Sequence, residues 1–281
     1  MIENKVVPLW DKNHREEDMF KISIVGAGNV AYRMALFLQG AGHSIECVFA
    51  RDIEKAEKVV RALKRGKSNA FATADYCQLP HSDITIIAVS DNAIGNVAAQ
   101  LPHKDAFTVH TSGATPMAVL KEAGLGNVGV FYPLMTLSMH KELDIRLIPY
   151  LIEPDSQQGT DILKELVNSI KAEYKICDSA QRLQFHTAAI FTTNFLNYSL
   201  SLAYDIANPD FVLLLPSAIE SIRKAFLNTP AVSQTGPARR GDTNTIEKHI
   251  QVLQQNEKFA EHLEVYNFLT EKIFKRYNPD K

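Results

Sequence analysis

From Lys21 onward the chain alternates two kinds of apolar spacing. Ile22, Ile24 and Val25 open a short β-branched run, and residues 44–50 and 83–89 form two more. The last is apolar almost throughout, as expected of a strand covered on both faces. Between these runs the spacing becomes helical, with Val30, Met34, Leu36, Phe37 and Leu38 after the first strand and an amphipathic, charged stretch at 53–63 after the second. Gly40-Ala41-Gly42-His43 stops the first helix, and Phe71-Ala72 marks a short third strand. Helices at 94–100 and 116–123 then alternate with strands at 106–110, 128–131 and 149–153. This alternation of strand and helix signals predicts a parallel sheet wrapped by helices.

After Pro154 the strand signal fades. Ile162, Leu163, Leu166, Val167 and Ile170 fall at helical spacing. Residues 180–206 hold that spacing without a Gly or Pro, and Asp178 with Gln181 three residues on offers a capping box at its start. Residues 211–228 read as a further helix in which Pro216 is either the start or a kink. Asn244-Thr245-Ile246-Glu247 resembles another cap, with helical spacing to about Arg276. The expected organisation is an N-terminal extension (1–18), an α/β domain (19–154) and an all-α domain (155–281). The extension carries Val7, Leu9 and Trp10, which could pack on the outside.

Composition narrows the function. With 281 residues, 46% of them hydrophobic, the chain can bury a sizeable core. A net charge of −2 with no basic run argues against a nucleic-acid surface. No apolar stretch reaches the length of a membrane span, and the N-terminus is polar and mixed in charge, unlike a signal peptide. Cys47, Cys77 and Cys177 are odd in number and far apart, with neither metal-ligand spacing nor a disulfide framework. A cytoplasmic protein fits that usage.

The first strand runs directly into Gly26-Ala27-Gly28-Asn29-Val30-Ala31, a G-x-G-x-x-G/A pattern. Each small residue has its own task in a dinucleotide site: Gly26 for the sharp turn, Gly28 for approach of the pyrophosphate, Ala31 for close helix packing. The helix N-terminus then favours the anion. The strand before it and the apolar helical run after it are the context this pattern requires. The fold expected is therefore Rossmann-like, a mostly parallel α/β sheet followed by helices. At the end of the second strand stands Arg51 rather than an acidic residue, with Asp52 next and Lys55 a turn beyond. A guanidinium there suits a 2′-phosphate and predicts NADP; the alternative has Arg51 solvated and Asp52 serving a ribose hydroxyl.

Ligands bind at the carboxyl ends of such strands. Ser90 and Asp91 follow the central strand, where they line a nicotinamide ribose or simply cap the next helix. His110 and Ser112 follow the next strand beside the expected cofactor, and Tyr132-Pro133-Leu134 the one after. In the helical half Arg182, His186, Ile190 and Asn194 recur every four residues, a stripe that needs solvent, another helix or a substrate as partner. The stretch 234–242, with Arg239 and Arg240 between Gly236 and Gly241 and Asp242 directly after, reads as an anion site, an internal ion pair or a solvated connector.

GAGNVA, IIAVSD, HTSG, YPLMTLS and TGPARRGD together resemble a family of bacterial proteins with a Rossmann-like NADP-binding domain and a helical domain of unknown function. The resemblance covers about residues 19–277, and TGPARRGD is its most specific element. More distantly the chain looks like pyrroline-carboxylate reductase, deazaflavin-dependent NADP reductase and the β-hydroxyacid dehydrogenases. The resemblance implies cofactor contacts at Gly26, Gly28, Asn29, Val30, Arg51 and Ser90, and a helical half, similar to the C-terminal part of 6-phosphogluconate dehydrogenase, that forms a homodimer and closes a cleft. The lysine used by β-hydroxyacid dehydrogenases has no counterpart, since no lysine lies between Lys175 and Lys224. The expected activity is hydride transfer between NADP and a small carbonyl, hydroxy acid or imine. His186 and His110 are the candidate proton carriers, Asn194 would orient the substrate, and Arg239 or Arg240 would hold an anionic group. The rival reading is a non-catalytic NADP-binding sensor.

Overall fold

The computed structural model describes residues 19–64, 68–139 and 143–279. The extension 1–18, with Val7, Leu9 and Trp10, lies outside the described residues. Two compact units divide between Thr193 and Asn194.

The first unit is built on an eight-stranded sheet in the order β3-β2-β1-β4-β5-β6-β7-β8. Its strands are β1 (Lys21–Val25), β2 (Ser44–Phe49), β3 (Phe71–Thr73), β4 (Ile84–Ile87), β5 (Phe107–His110), β6 (Val128–Pro133), β7 (Tyr150–Pro154) and β8 (Tyr174–Ile176). Pairing is parallel throughout except between β6 and β7. The helices are α1 (Asn29–Gly40), α2 (Ile53–Lys64), α3 (Ile94–Gln100), α4 (Ala118–Glu122), α5 (Gln157–Ser169) and α6 (Ser179–Thr192).

Period-two alternation in the strands sends residues to two cores. Ile22, Ile24, Ile84 and Ile86 join Met34, Leu38, Leu163 and Leu166 in one cluster. Val25 and Ile87 join Ile94, Leu120 and Val128 in the other. The strand order reverses at β1 and β4, which places a crevice over their carboxyl ends. β8 is unannounced in a stretch that reads as helical; its three residues are exposed and pair with β7.

The second unit is helical: α7 (Asn194–Ala207), α8 (Leu215–Asn228), the short turns α9 (Pro230–Ser233) and α10 (Pro237–Arg240), α11 (Thr243–Gln254) and α12 (Ala260–Tyr277). Three readings from the sequence are corrected. The single helix expected over 180–206 breaks at Thr193. The Thr193 amide still closes on the Ala189 carbonyl at 2.9 Å, joined there by the Thr192 and Thr193 hydroxyls at 3.1 and 2.7 Å. The break lies in the backbone of the β-branched Thr193 itself, whose φ of −122° and ψ of −71° leave the helical region. The cap of α11 is Asp242 rather than Asn244: its carboxylate accepts from the Thr245 amide at 3.1 Å and the Thr245 hydroxyl at 2.8 Å. Helix then stops near Gln254 instead of running to 276, and Asn256 caps the following turn. Pro216 sits in the first turn of α8, where its missing N–H costs nothing.

Candidate active site on the carboxyl edge of the sheet

The turn between β1 and α1 depends on Gly26. Its φ is +130°, and a Cβ there would lie 2.1 Å from the Ala88 carbonyl oxygen at the end of β4. Only glycine fits on both counts. Gly28 differs: a Cβ would meet nothing within 4 Å, so the space above it is open. α1 begins there with no side-chain cap and no acidic residue in its first turn. A twelve-residue helix with an uncapped N-terminus facing open space is a fitting cradle for a pyrophosphate. Ala31 is fully buried, as close packing of α1 requires. Asn29 and Arg33 tie this turn to the loop after β6. The Asn29 carboxamide oxygen accepts from the Met139 amide at 3.4 Å, and Arg33 donates to the carbonyls of Ser138 at 2.7 Å and Met139 at 3.1 Å.

At the end of β2, Arg51 is exposed. Asp52 is already committed: its carboxylate accepts from the Glu54 amide at 3.2 Å and pairs with Lys55 at 3.4 Å. Tyr76 stacks on Phe49 at 4.1 Å near the same strand end. Burial raises its phenol, and Arg51 partly offsets that rise.

Further along the edge, Ser90 and Asp91 are exposed after β4. His110 ends β5 with no exposure at all. Its Nδ1 accepts from the Ser112 amide at 3.2 Å, so Nε2 carries the ring hydrogen. Burial, then the Arg182 guanidinium, lowers its pKa to about 3, with the Pro116 carbonyl pulling the other way. His110 is thus a neutral structural ring at neutral pH. Ser112 is buried too, its hydroxyl accepting from the amides of Ala114 and Thr115 at 3.1 and 2.9 Å.

Gly113 is the floor of the site. A Cβ on it would come within 2.7 Å of His186 Nδ1 and 2.8 Å of Tyr132 Cζ. Above it the Tyr132 hydroxyl and His186 Nδ1 are hydrogen-bonded at 3.0 Å, with the rings edge to face at 5.9 Å. Both side chains are half-buried. Burial and then Asp91 raise the Tyr132 phenol, while Arg182 opposes them.

One turn before His186, Arg182 is fully buried and ion-paired with Glu153 on β7; it also donates to the Thr115 carbonyl. Burial pulls its guanidinium down to about 10, still charged at neutral pH. Ser179 donates to both Glu153 oxygens at 2.9 Å and accepts from the Met117 amide at 3.2 Å. These bonds fasten α6 to β7 and to the loop below His186.

The structure therefore brings His186 together with Tyr132 and Gly113, on the same sheet edge as the Gly26 turn. The stripe expected from Arg182 to Asn194 does not persist, because the helix ends at Thr192 and Asn194 opens α7 in the second unit. Arg239 and Arg240 also lie in that unit. Arg239 donates to the Gln234 carbonyl and lies over the Tyr277 ring at 5.3 Å. Arg240 is exposed, 3.9 Å from Asp242. Gly236 and Gly241, with φ of +99° and +68°, bracket this turn, and a Cβ on Gly241 would lie 2.9 Å from the Phe274 ring. Sequence reasoning passed over Tyr132 as a single residue, although its place at a strand's carboxyl end was visible.

Fold and site together define a dinucleotide-binding α/β protein. The family described as "NADP oxidoreductase coenzyme F420-dependent" matches residues 21–112, and a domain of unknown function, DUF2520, matches residues 148–273. No curated protein matches the chain. Among solved structures, a "putative NADP oxidoreductase" from Bacteroides fragilis is 31% identical over 92% of this chain and 99% of its own, with a TM-score of 0.82. A Thermotoga maritima protein is 21% identical over 92% and 99%, with a TM-score of 0.66. A reductive aminase from Aspergillus terreus, in complex with NADPH and ethyl-5-oxohexanoate, shares the fold at 14% identity over 93% and 95%, with a TM-score of 0.63. The chain belongs to the NADP oxidoreductase family represented by the Bacteroides fragilis structure.

Proposed function

We propose that this chain is an NADP-dependent oxidoreductase acting on a small carbonyl, hydroxy acid or imine. The observation that carries the reading is the Tyr132–His186 pair, set over Gly113 in the same unit and along the same sheet edge as the open Gly28 turn. The nicotinamide, when bound, supplies the hydride chemistry. The backbone of Gly26, Gly28, Asn29 and Val30 would hold the pyrophosphate, with Ser90, Asp91 and Ser112 towards the nicotinamide end. Arg51 would take the 2′-phosphate, and the engagement of Asp52 at the start of α2 supports that assignment. Of the two candidate histidines, His186 has access to solvent and serves proton transfer; His110 supports the loop beneath it.

Residues 19–154 would form the cofactor domain and 155–281 the substrate and dimerisation domain. Asn194 would orient the substrate, and Arg239 or Arg240 would hold an anionic group on it. A homodimer is supported by the large apolar side chains displayed around α8, among them Leu213, Ile219 and Phe226, the last 79% exposed. The experiment is to follow absorbance of NADPH with pools of keto acids, simple carbonyls and cyclic imines. Turnover with at least one pool is expected; tight NADPH binding without turnover of any pool would favour the sensor.

A further inference from the structure

We infer that Tyr132 is a catalytic residue that hands the proton to the substrate, and that His186 relays the replacement proton from solvent. The inference rests on the oxidoreductase reading above. The two groups share one hydrogen bond at 3.0 Å. They are brought together from β6 and α6, 54 positions apart, by contacts that leave little freedom. Gly113 has no room for a side chain beneath them, and the buried Arg182–Glu153 pair fixes α6 one turn away. An exposed pair of this kind would be an ordinary surface contact. Here both rings are half-buried at a strand's carboxyl end, where this sheet class binds ligands.

The chemistry follows from what each group can donate. A phenol kept protonated at neutral pH can give its proton to a developing alkoxide or amide nitrogen. For that the Tyr132 O–H must turn to the substrate, and His186 Nδ1–H then donates to the phenolic oxygen. In reduction the substrate carbon accepts a hydride, two electrons with one hydrogen, and the C=O or C=N π bond opens. Its oxygen or nitrogen takes the proton from Tyr132 Oη. The phenolate recovers a proton from His186 Nδ1, and Nε2 takes one from water. Oxidation of an alcohol or amine runs the same path backwards. Arg182 favours the transient phenolate by its charge, while Asp91 and burial favour the phenol.

The test uses the full chain, with Tyr132→Phe and His186→Ala each checked for an unchanged thermal unfolding curve and NADPH affinity. Tyr132→Phe keeps the ring that packs on Gly113 and removes only the hydroxyl. On whichever pool the wild type turns over, it is expected to lower kcat by about a hundredfold or more with KM little changed. His186→Ala is expected to lose activity less severely and to regain part of it with imidazole in the buffer. Independently of activity, the ring-nitrogen NMR signals of His186 should move when the Tyr132 hydroxyl is removed. A Tyr132→Phe variant within a few-fold of wild type, or unmoved His186 signals, overturns the inference and leaves the oxidoreductase reading intact. A wild type that turns over no pool overturns both.

Discussion

His110 offers a quantitative test of the site's floor. The ring is fully buried, and its pKa falls from the ordinary 6.5 to about 3. The unfolded chain therefore binds more protons at this residue than the folded one between these two values. Stability contributed by the neutral ring is complete above pH 6.5 and is lost as pH falls towards 3. The ceiling of that loss is about 5 kcal/mol, and about 2 kcal/mol of it should be gone by pH 5. The comparison variant is His110→Asn, whose carboxamide oxygen can still accept from the Ser112 amide but does not titrate. Its cavity cost is common to both pH values and cancels. Urea unfolding followed by circular dichroism at pH 7.5 and pH 5 should show wild type losing about 2 kcal/mol more than the variant. Equal losses, within about 0.5 kcal/mol, would refute the buried neutral histidine.

The two glycines of the cofactor turn should separate stability from binding. Gly26→Ala is expected to cost about 3 kcal/mol or more in thermal unfolding, since the new Cβ meets Ala88 at a φ of +130°. Gly28→Ala should leave stability within about 1 kcal/mol while NADPH affinity drops about tenfold or more. Arg51→Ala should weaken NADPH more than NADH in a binding titration; equal weakening would remove the case for a 2′-phosphate contact. Glu153→Ala leaves Arg182 charged in a buried site and should cost about 3–5 kcal/mol, whereas Glu153→Leu with Arg182→Met should recover most of it.

The elements that proved legible in the sequence are those set by short-range rules. Strands β1, β2 and β4 follow from β-branched runs, and the Gly26 turn from a motif that starts directly after the last residue of β1. The capping box of Asp178 and Gln181 was readable for the same reason, and the structure contains both of its bonds. What escaped depends on one residue's backbone or on long-range contact. The break at Thr193 is a departure of one residue's backbone from helical angles, φ −122° and ψ −71°, which helical periodicity cannot register. β8 exists because β7 offers an edge, not because Tyr174–Ile176 carries an apolar pattern on both faces. Arg182 read as one polar position among several, and only the fold shows that Glu153 meets it from 29 residues away. Tyr132 and His186 lie in segments that each held a clue, a strand end and a histidine on a helix. Their pairing is a property of the packed sheet edge.

Hydride transfer between NADP and a small substrate, as proposed for this chain, is read most directly by following an isotope. Full-length protein incubated with NADPH carrying deuterium at both C4 positions of the nicotinamide, and with keto acid, carbonyl and imine pools, gives products that mass spectrometry can weigh. One deuterium on carbon in the product of at least one pool is the predicted result. NADPH that binds tightly but yields no labelled product from any pool would contradict the claim.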